Sequence, residues 1–311
     1  MKVLFLGLGS IGKRHVRLLL KNFDHEVSAL RSRKGQGTDI QIGVKELVSW
    51  NEVDSTKYDV AFVTNPTSLH LRSALECAQR GMHLFIEKPI DCRMDDLDTL
   101  LDLVEVKKLT TYVAYPLRFH PIIKELKRLL EKERPLHSRI ISSSYLPDWR
   151  PHQNHLESYS AYRHMGGGVI LDLSHELDYA SYLFGDVVSI NGKYGKLGEV
   201  TVDSEDYADI IITHESSVCT NIHLSYLGRV SQRIIEVDTH DSHIEADLIN
   251  GTISYSGVNG CWKNIFAIDR DEMYLEQLKY FFENITNRQM TNNLPEAGKL
   301  FGKIIEFRES M

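Results

Sequence analysis

The stretch that most constrains this chain is Lys2-Val3-Leu4-Phe5-Leu6-Gly7-Leu8-Gly9-Ser10-Ile11-Gly12-Lys13-Arg14-His15. An apolar run of strand length meets three glycines spaced G-x-G-x-x-G, and Ile11, Val16, Leu18 and Leu19 then recur at helical spacing. The order is strand, tight turn, helix. The first glycine permits the turn, the second lets backbone approach a pyrophosphate, and the third lets helix and strand pack closely. The free N–H groups and positive end of the helix then face the phosphates. The pattern predicts a dinucleotide site in the opening residues.

The following pattern alternates strand and helix. Strands are expected at Glu26 to Leu30, Tyr58 to Thr64, Met82 to Ile86 and Thr111 to Tyr115, with helices from Ile11 to Asn22, from Thr67 or Ser68 as cap to Arg80, and from Met94 to Lys107. Such alternation gives a parallel sheet whose ligands sit beyond the carboxyl ends of the strands. Asn65-Pro66 and Glu87-Lys88-Pro89 stand at two of those ends. At the end of the second strand come Arg31-Ser32-Arg33-Lys34, where an acid would bind a ribose hydroxyl and arginine accommodates a 2′-phosphate. Arg31, Ser32 and Arg33 thus favour NADP(H) over NAD(H), unless the cations are a solvated loop.

The texture changes in the second half. A boundary near Leu117 divides a first domain, 1–117, from a second, 118–311. Beyond it an amphipathic helix ends near Glu133, a strand spans Arg139 to Tyr145, and a long loop runs from Leu146 to His164. Gly166-Gly167-Gly168 then opens a helix from Val169 to Phe184, followed by six strand-like runs between Val187 and Tyr255 and helices near 271–287 and 295–307. Helices on one side and consecutive strands on the other predict an open, mainly antiparallel sheet. In the last helices Tyr274, Leu275, Leu278, Phe281 and Phe282 form a core stripe.

Composition narrows the function classes. The 311 residues hold 42% hydrophobic and 25% charged residues with a net charge of −7, so no basic excess is present to neutralise nucleic acid or a membrane surface. Four scattered cysteines form no C-x-x-C pair, His, Asp and Glu show no metal-ligand spacing, and no metal is expected. The apolar run at the start stops at Gly7, and no run reaches the roughly 18 residues of a membrane span. A cytoplasmic protein is expected.

Gly7-Leu8-Gly9-Ser10-Ile11-Gly12, Glu87-Lys88-Pro89, Arg118-Phe119 and Gly166-Gly167-Gly168-Val169-Ile170-Leu171-Asp172-Leu173-Ser174-His175 occur in the order seen in the glucose-fructose oxidoreductase, inositol dehydrogenase and rhizopine catabolism (Gfo/Idh/MocA) family. The chain resembles that family over essentially its whole length. The resemblance implies a Rossmann domain followed by an α+β domain whose open sheet makes a homodimer or homotetramer. It also implies hydride transfer between NAD(P) and a hydroxyl or keto carbon of a sugar. Lys88, Asp172 and His175 are the catalytic residues it suggests. In the family the histidine more often lies four residues after the aspartate; here Glu176 takes that offset, and His-x-x-Asp continues to Asp178. On one continuous helix Asp172 and His175 would share a face, with the carboxylate setting the imidazole tautomer.

The cofactor set is Gly7, Gly9, Ser10, Ile11, Gly12, Arg31, Ser32, Arg33, Asn65, Pro66, His70, Glu87 and Lys88. The substrate set is Arg118, Trp149, Arg150, Tyr159 and Arg163, whose arginines favour an anionic sugar such as a nucleotide sugar, sugar acid or nonulosonate; a solvated basic loop is the other reading. The glycines at 166–168 leave room for substrate, ease entry to the helix, or both. Two rival functions stay open: an eliminase or epimerase with tightly held cofactor, and a catalytically silent dinucleotide sensor.

Overall fold

The computed structural model describes residues 1–31, 43–54, 57–149, 154–198, 200–286 and 290–310. Its chain divides into two compact units. The first is Met1–Ala114 with Asp271–Phe301, and the second is Tyr115–Arg270 with Gly302–Met311.

In the first unit β1 (Lys2–Leu6), α1 (Ser10–Asn22), β2 (Glu26–Leu30), β3 (Val44–Leu47), β4 (Val60–Val63), α2 (His70–Gln79), β5 (His83–Glu87), α3 (Leu97–Lys107) and β6 (Thr111–Ala114) follow in order. The six strands are all parallel in the order β3-β2-β1-β4-β5-β6, the doubly wound dinucleotide arrangement. The short strand β3 breaks no periodicity and is not foreseen from the sequence. Register explains the core. Phe5, Phe62, Phe85 and Tyr112 stand side by side on four adjacent strands, with ring centroids 4.6, 4.3 and 5.5 Å apart along the row.

The expected helix cap at Thr67 or Ser68 is replaced. Thr67–Leu69 is a 3-10 turn, α2 starts at His70 without a side-chain cap of its own, and the Asp91 carboxylate accepts from Leu71 N at 3.0 Å. A residue 20 positions along the chain does what a local residue was expected to do.

The expected single cut at Leu117 also differs from the observed division. A helix at Arg270–Asn284 brings Phe281 edge-on against Phe85 at 5.3 Å and against Phe62 at 6.0 Å. The aromatic row needs a cover, and the core stripe of that helix supplies it, so Asp271–Phe301 packs with the first unit rather than with the second.

The second unit comprises α4 (Pro121–Leu130), β7 (Pro135–Ser143), α5 (Val169–Asp172), α6 (His175–Phe184), β8 (Val187–Gly195), β9 (Tyr207–His214), β10 (Cys219–Ser225), β11 (Gln232–Thr239), β12 (Ser242–Asp247), β13 (Thr252–Gly257) and β14 (Gly260–Ile265). The helix at Arg270–Asn284, α7, and α8 (Leu294–Glu309) complete the chain. The eight strands run in the order β14-β13-β12-β11-β7-β10-β9-β8, antiparallel except for β7 beside β10. Strand β9 shows the alternation of a one-sided sheet: Ala208, Ile210, Ile212 and His214 are buried, while Asp209, Ile211 and Thr213 are exposed. Strand β14 has no buried residue, which is why its sequence gives no strand signal.

Two expectations for this unit are corrected. Leu146 to His164 is not a bare loop, since its described residues form 3-10 turns at Leu146–Trp149, His155–Glu157, Tyr159–Ala161 and Arg163–Met165. The helix expected from Val169 to Phe184 is interrupted at Leu173-Ser174.

Candidate functional site

In the first unit the three glycines of the turn have separate reasons to be glycine. Gly7 has φ +90° and donates to Leu30 O at 3.1 Å; a Cβ there would lie 2.9 Å from Asn65 Cα. A Cβ on Gly12 would lie 2.7 Å from Gly7 O and 2.9 Å from Thr64 Oγ1. Gly9 differs: no heavy atom of the described residues stands within 4 Å of a Cβ placed there, and the residue is exposed. Packing of the described residues demands two of the glycines and leaves the space over the third clear of them.

Helix α1 begins beneath that space with no side-chain cap and no acid in its first turn. Helical geometry leaves its first N–H groups, at Ser10, Ile11 and Gly12, without an intrahelical acceptor. Asn65 donates to Ser73 Oγ at 2.7 Å, and its buried Oδ1 accepts no hydrogen bond from the described residues. An acid-free helix start, an open glycine and an orphaned amide oxygen fit a dinucleotide's phosphates and a sugar hydroxyl.

Glu87, His70 and Arg31 of the expected cofactor set are engaged by partners within the protein. Glu87 is buried and meets His15 Nε2 at 2.6 Å, with the His15 ring set among Phe62, Phe85 and Tyr274. His70 turns both ring nitrogens to main-chain carbonyls. Arg31 pairs with Glu46 of β3 at 3.4 Å. Pro66 is exposed beside Asn65, and Lys88 is half-buried at the carboxyl end of β5. Ser32, Arg33 and Arg150 lie outside the described residues.

In the second unit Asp172 is buried at the end of α5, and both its oxygens are bound by phenols: Tyr159 Oη donates to Oδ1 at 2.7 Å and Tyr226 Oη to Oδ2 at 2.8 Å. Burial, reinforced by the Asp172 charge, pushes the Tyr226 phenol well above its ordinary range. His175 begins α6 beyond the break, so the continuous helical face expected for Asp172 and His175 is absent. Its ring packs edge-on to Tyr115 at 5.5 Å, a phenol that burial raises.

The chain's own packing and backbone conformation call for glycine along the run. Gly166, at φ +93°, ends the turn at Arg163–Met165. A Cβ on Gly167 would meet the Tyr159 and Ser160 carbonyls, and one on Gly168 would meet the Glu205 carboxylate. That carboxylate is itself held by buried Arg308, whose Nε lies 3.1 Å from Glu205 Oε1 and which donates to Gly167 O at 2.6 Å.

The substrate set is only partly brought together. Trp149 packs edge-on to Tyr226 at 5.4 Å and donates to Ser144 Oγ at 2.8 Å, so Trp149, Tyr226, Asp172 and Tyr159 form one connected cluster. A small cavity beside it is lined by Leu146, Pro147, Trp149, Asn154, His155 and two serines. Arg118 departs from expectation: its guanidinium grips Asp178 with contacts at 2.7 and 3.0 Å and lies over the Tyr182 ring. Arg163 is exposed and spans to Arg308 O at 3.4 Å. Tyr226, Glu205 and Arg308 escaped the sequence analysis; none lies in a motif, and the positions that meet are separated by 54 to 141 residues. Among the described residues no group of three or more His, Cys, Asp or Glu is placed to hold a metal ion, and no helix is long and apolar enough to cross a membrane.

Comparison with known proteins agrees with this architecture. Residues 1–115 match the model of the oxidoreductase family with an NAD-binding Rossmann fold, and residues 123–245 match the GFO/IDH/MocA C-terminal domain. A myo-inositol 2-dehydrogenase of Thermotoga maritima is 25% identical, over 96% of this chain and 92% of its own length. The solved structure of a UDP-N-acetylglucosamine 3-dehydrogenase from Acidithiobacillus ferrooxidans superposes with a TM-score of 0.81 at 17% identity, covering 99% of this chain and 96% of its own. A levoglucosan dehydrogenase in complex with NADH superposes with a TM-score of 0.84 at 16% identity over the same shares; at these identities the likeness speaks for the fold. With both halves matched in order, the chain belongs to the Gfo/Idh/MocA family of oxidoreductases.

Proposed function

We propose that the protein is an NAD(P)-dependent oxidoreductase that moves a hydride between the nicotinamide and a hydroxyl or keto carbon of a sugar or sugar derivative. The observation that carries this reading is the glycine turn, open over Gly9 above an acid-free helix start. Gly7, Gly9, Ser10, Ile11, Gly12 and Asn65 hold the cofactor, which when bound supplies the hydride acceptor or donor. Lys88 hydrogen-bonds the reacting oxygen. His175 carries its proton, and Asp172, fixed by Tyr159 and Tyr226, shapes the field in which that proton moves. Supporting the assignment are the placement of Lys88 at a strand's carboxyl end and the sugar or cyclitol substrates named for relatives.

The preferred cofactor is NADP(H), since residues 30–34 at the end of β2 contain no acid to accept from a ribose hydroxyl. The case for an anionic substrate is narrower than the sequence suggested, because the Arg118 charge is already answered by Asp178. The working assembly is a homodimer or homotetramer. The deciding experiment is a screen of neutral and anionic sugars with either nicotinamide, followed by absorbance of the reduced cofactor. Sustained turnover with a sugar supports the reading, and no change in cofactor redox state across the panel overturns it.

A further inference from the structure

His70 opens α2 with only 2% of its surface exposed. Its Nδ1 lies 2.9 Å from Pro89 O and its Nε2 2.8 Å from Asn65 O. Both partners are main-chain carbonyl oxygens, which accept and never donate. A neutral imidazole owns one N–H and one lone pair, so in either tautomer one of these contacts would press a lone pair against a carbonyl oxygen inside the protein. The doubly protonated ring donates to both, and hydrogen bonds from a cation are the stronger kind.

The neighbouring charges act in both directions. The positive end of α2 and Lys88, one residue before Pro89, oppose a cation here. Against them stands buried Asp91, which accepts from Leu71 N at 3.0 Å at the same helix start and from Cys92 N at 2.7 Å. Its carboxylate answers the helix end and puts a negative charge at the start of the helix that His70 opens. Other histidines show the contrast: His120 accepts from Ile122 N through Nδ1, which requires a lone pair and therefore a neutral ring.

We propose that His70 is an imidazolium that staples the Asn65 end of β4 to the segment Lys88-Pro89, making it a positioning residue for Lys88 and Asn65. The inference rests on the reading of Lys88 as a catalytic residue. Its carbonyl anchor sits one residue beyond Lys88 and its other anchor is the main chain of the residue with the orphaned amide oxygen. One ring therefore ties together a group expected to handle the substrate oxygen and a group expected to hold the cofactor.

The test begins with the intact protein. Long-range proton–nitrogen correlation spectra of ¹⁵N-labelled protein at pH 7.5, with the His70 signals assigned by their loss in His70→Gln, are expected to show both ring nitrogens protonated. One protonated and one unprotonated nitrogen overturns the charge assignment. Loss of the staple misplaces Lys88 and loosens Asn65 while leaving the glycine turn in place, so His70→Gln should lower kcat by about 100-fold while cofactor Kd weakens by a much smaller factor, less than about tenfold. An unchanged kcat, or a fall in kcat matched by an equal loss of cofactor affinity, overturns the positioning role. The spectra and the cofactor titration need no substrate, so they report on His70 even if no sugar is turned over.

Discussion

At Lys88 the chemistry assigned to this chain can be tested by a change of one group. Lys88→Met keeps the aliphatic stem and removes the donor, so turnover should fall by about 10²- to 10⁴-fold with the melting temperature nearly unchanged; steady-state kinetics beside a thermal melt decides it. Asp172 is a different case, because its oxygens are already bound by Tyr159 and Tyr226. Tyr226→Phe should slow turnover less than Asp172→Asn, and a double-mutant cycle should show the two changes to be coupled. His120 gives the chain a pH sensitivity with a worked sign. Burial, aided by the Arg233 charge, lowers its pKa from 6.5 to about 4. The unfolded chain therefore takes up the proton first as pH falls, and stability held above pH 6.5 is lost progressively toward pH 4, up to about 3 kcal/mol. Melts at pH 7.5 and 5 should differ less in His120→Asn, which keeps an N-cap acceptor without the titrating ring.

Among the elements, the turn after β1 separates two kinds of glycine that share one motif. Gly12→Ala drives a Cβ into Gly7 O and should cost about 1–3 kcal/mol of stability. Gly9→Ala meets no atom of the described residues and should leave the melting temperature unchanged, yet weaken cofactor binding by at least about tenfold. Equal effects of the two substitutions on Kd would remove the distinction. The strand and helix pattern of this half was legible because each segment carries its own periodicity, down to β2 at Glu26–Leu30. The short β3 and the solvent-facing β14 were not, since neither buries enough residues to alternate. The same limit applied to the site. Gly7, Gly9, Lys88 and Asp172 stand in local motifs, whereas Tyr226 and Arg308 reach their partners through distant pairing that a linear pattern does not encode. Glu87 and His70 were visible as polar residues in a motif, but which way each turned depended on His15 and on two carbonyls.

For the whole molecule, cofactor choice and assembly can be measured together. Titration should show NADP(H) binding more tightly than NAD(H), and Arg31→Ala should narrow the gap; tighter NAD(H) binding would refute the preference and make Arg31 with Glu46 a structural pair. Light scattering on the purified protein checks the dimer or tetramer. Phe281→Ala would uncover Phe62, Phe85 and Tyr112 of the row and should cost about 3–5 kcal/mol, seen as a lower melting temperature. That row has a temporal consequence. Its cover lies in Asp271–Phe301, so a ribosome has passed the whole of Tyr115–Arg270 before the nucleotide-binding half can bury its aromatic face. Nascent chains halted after residue 117 should stay sticky and protease-sensitive, and the factors that shield growing polypeptides should hold them until the closing helix emerges.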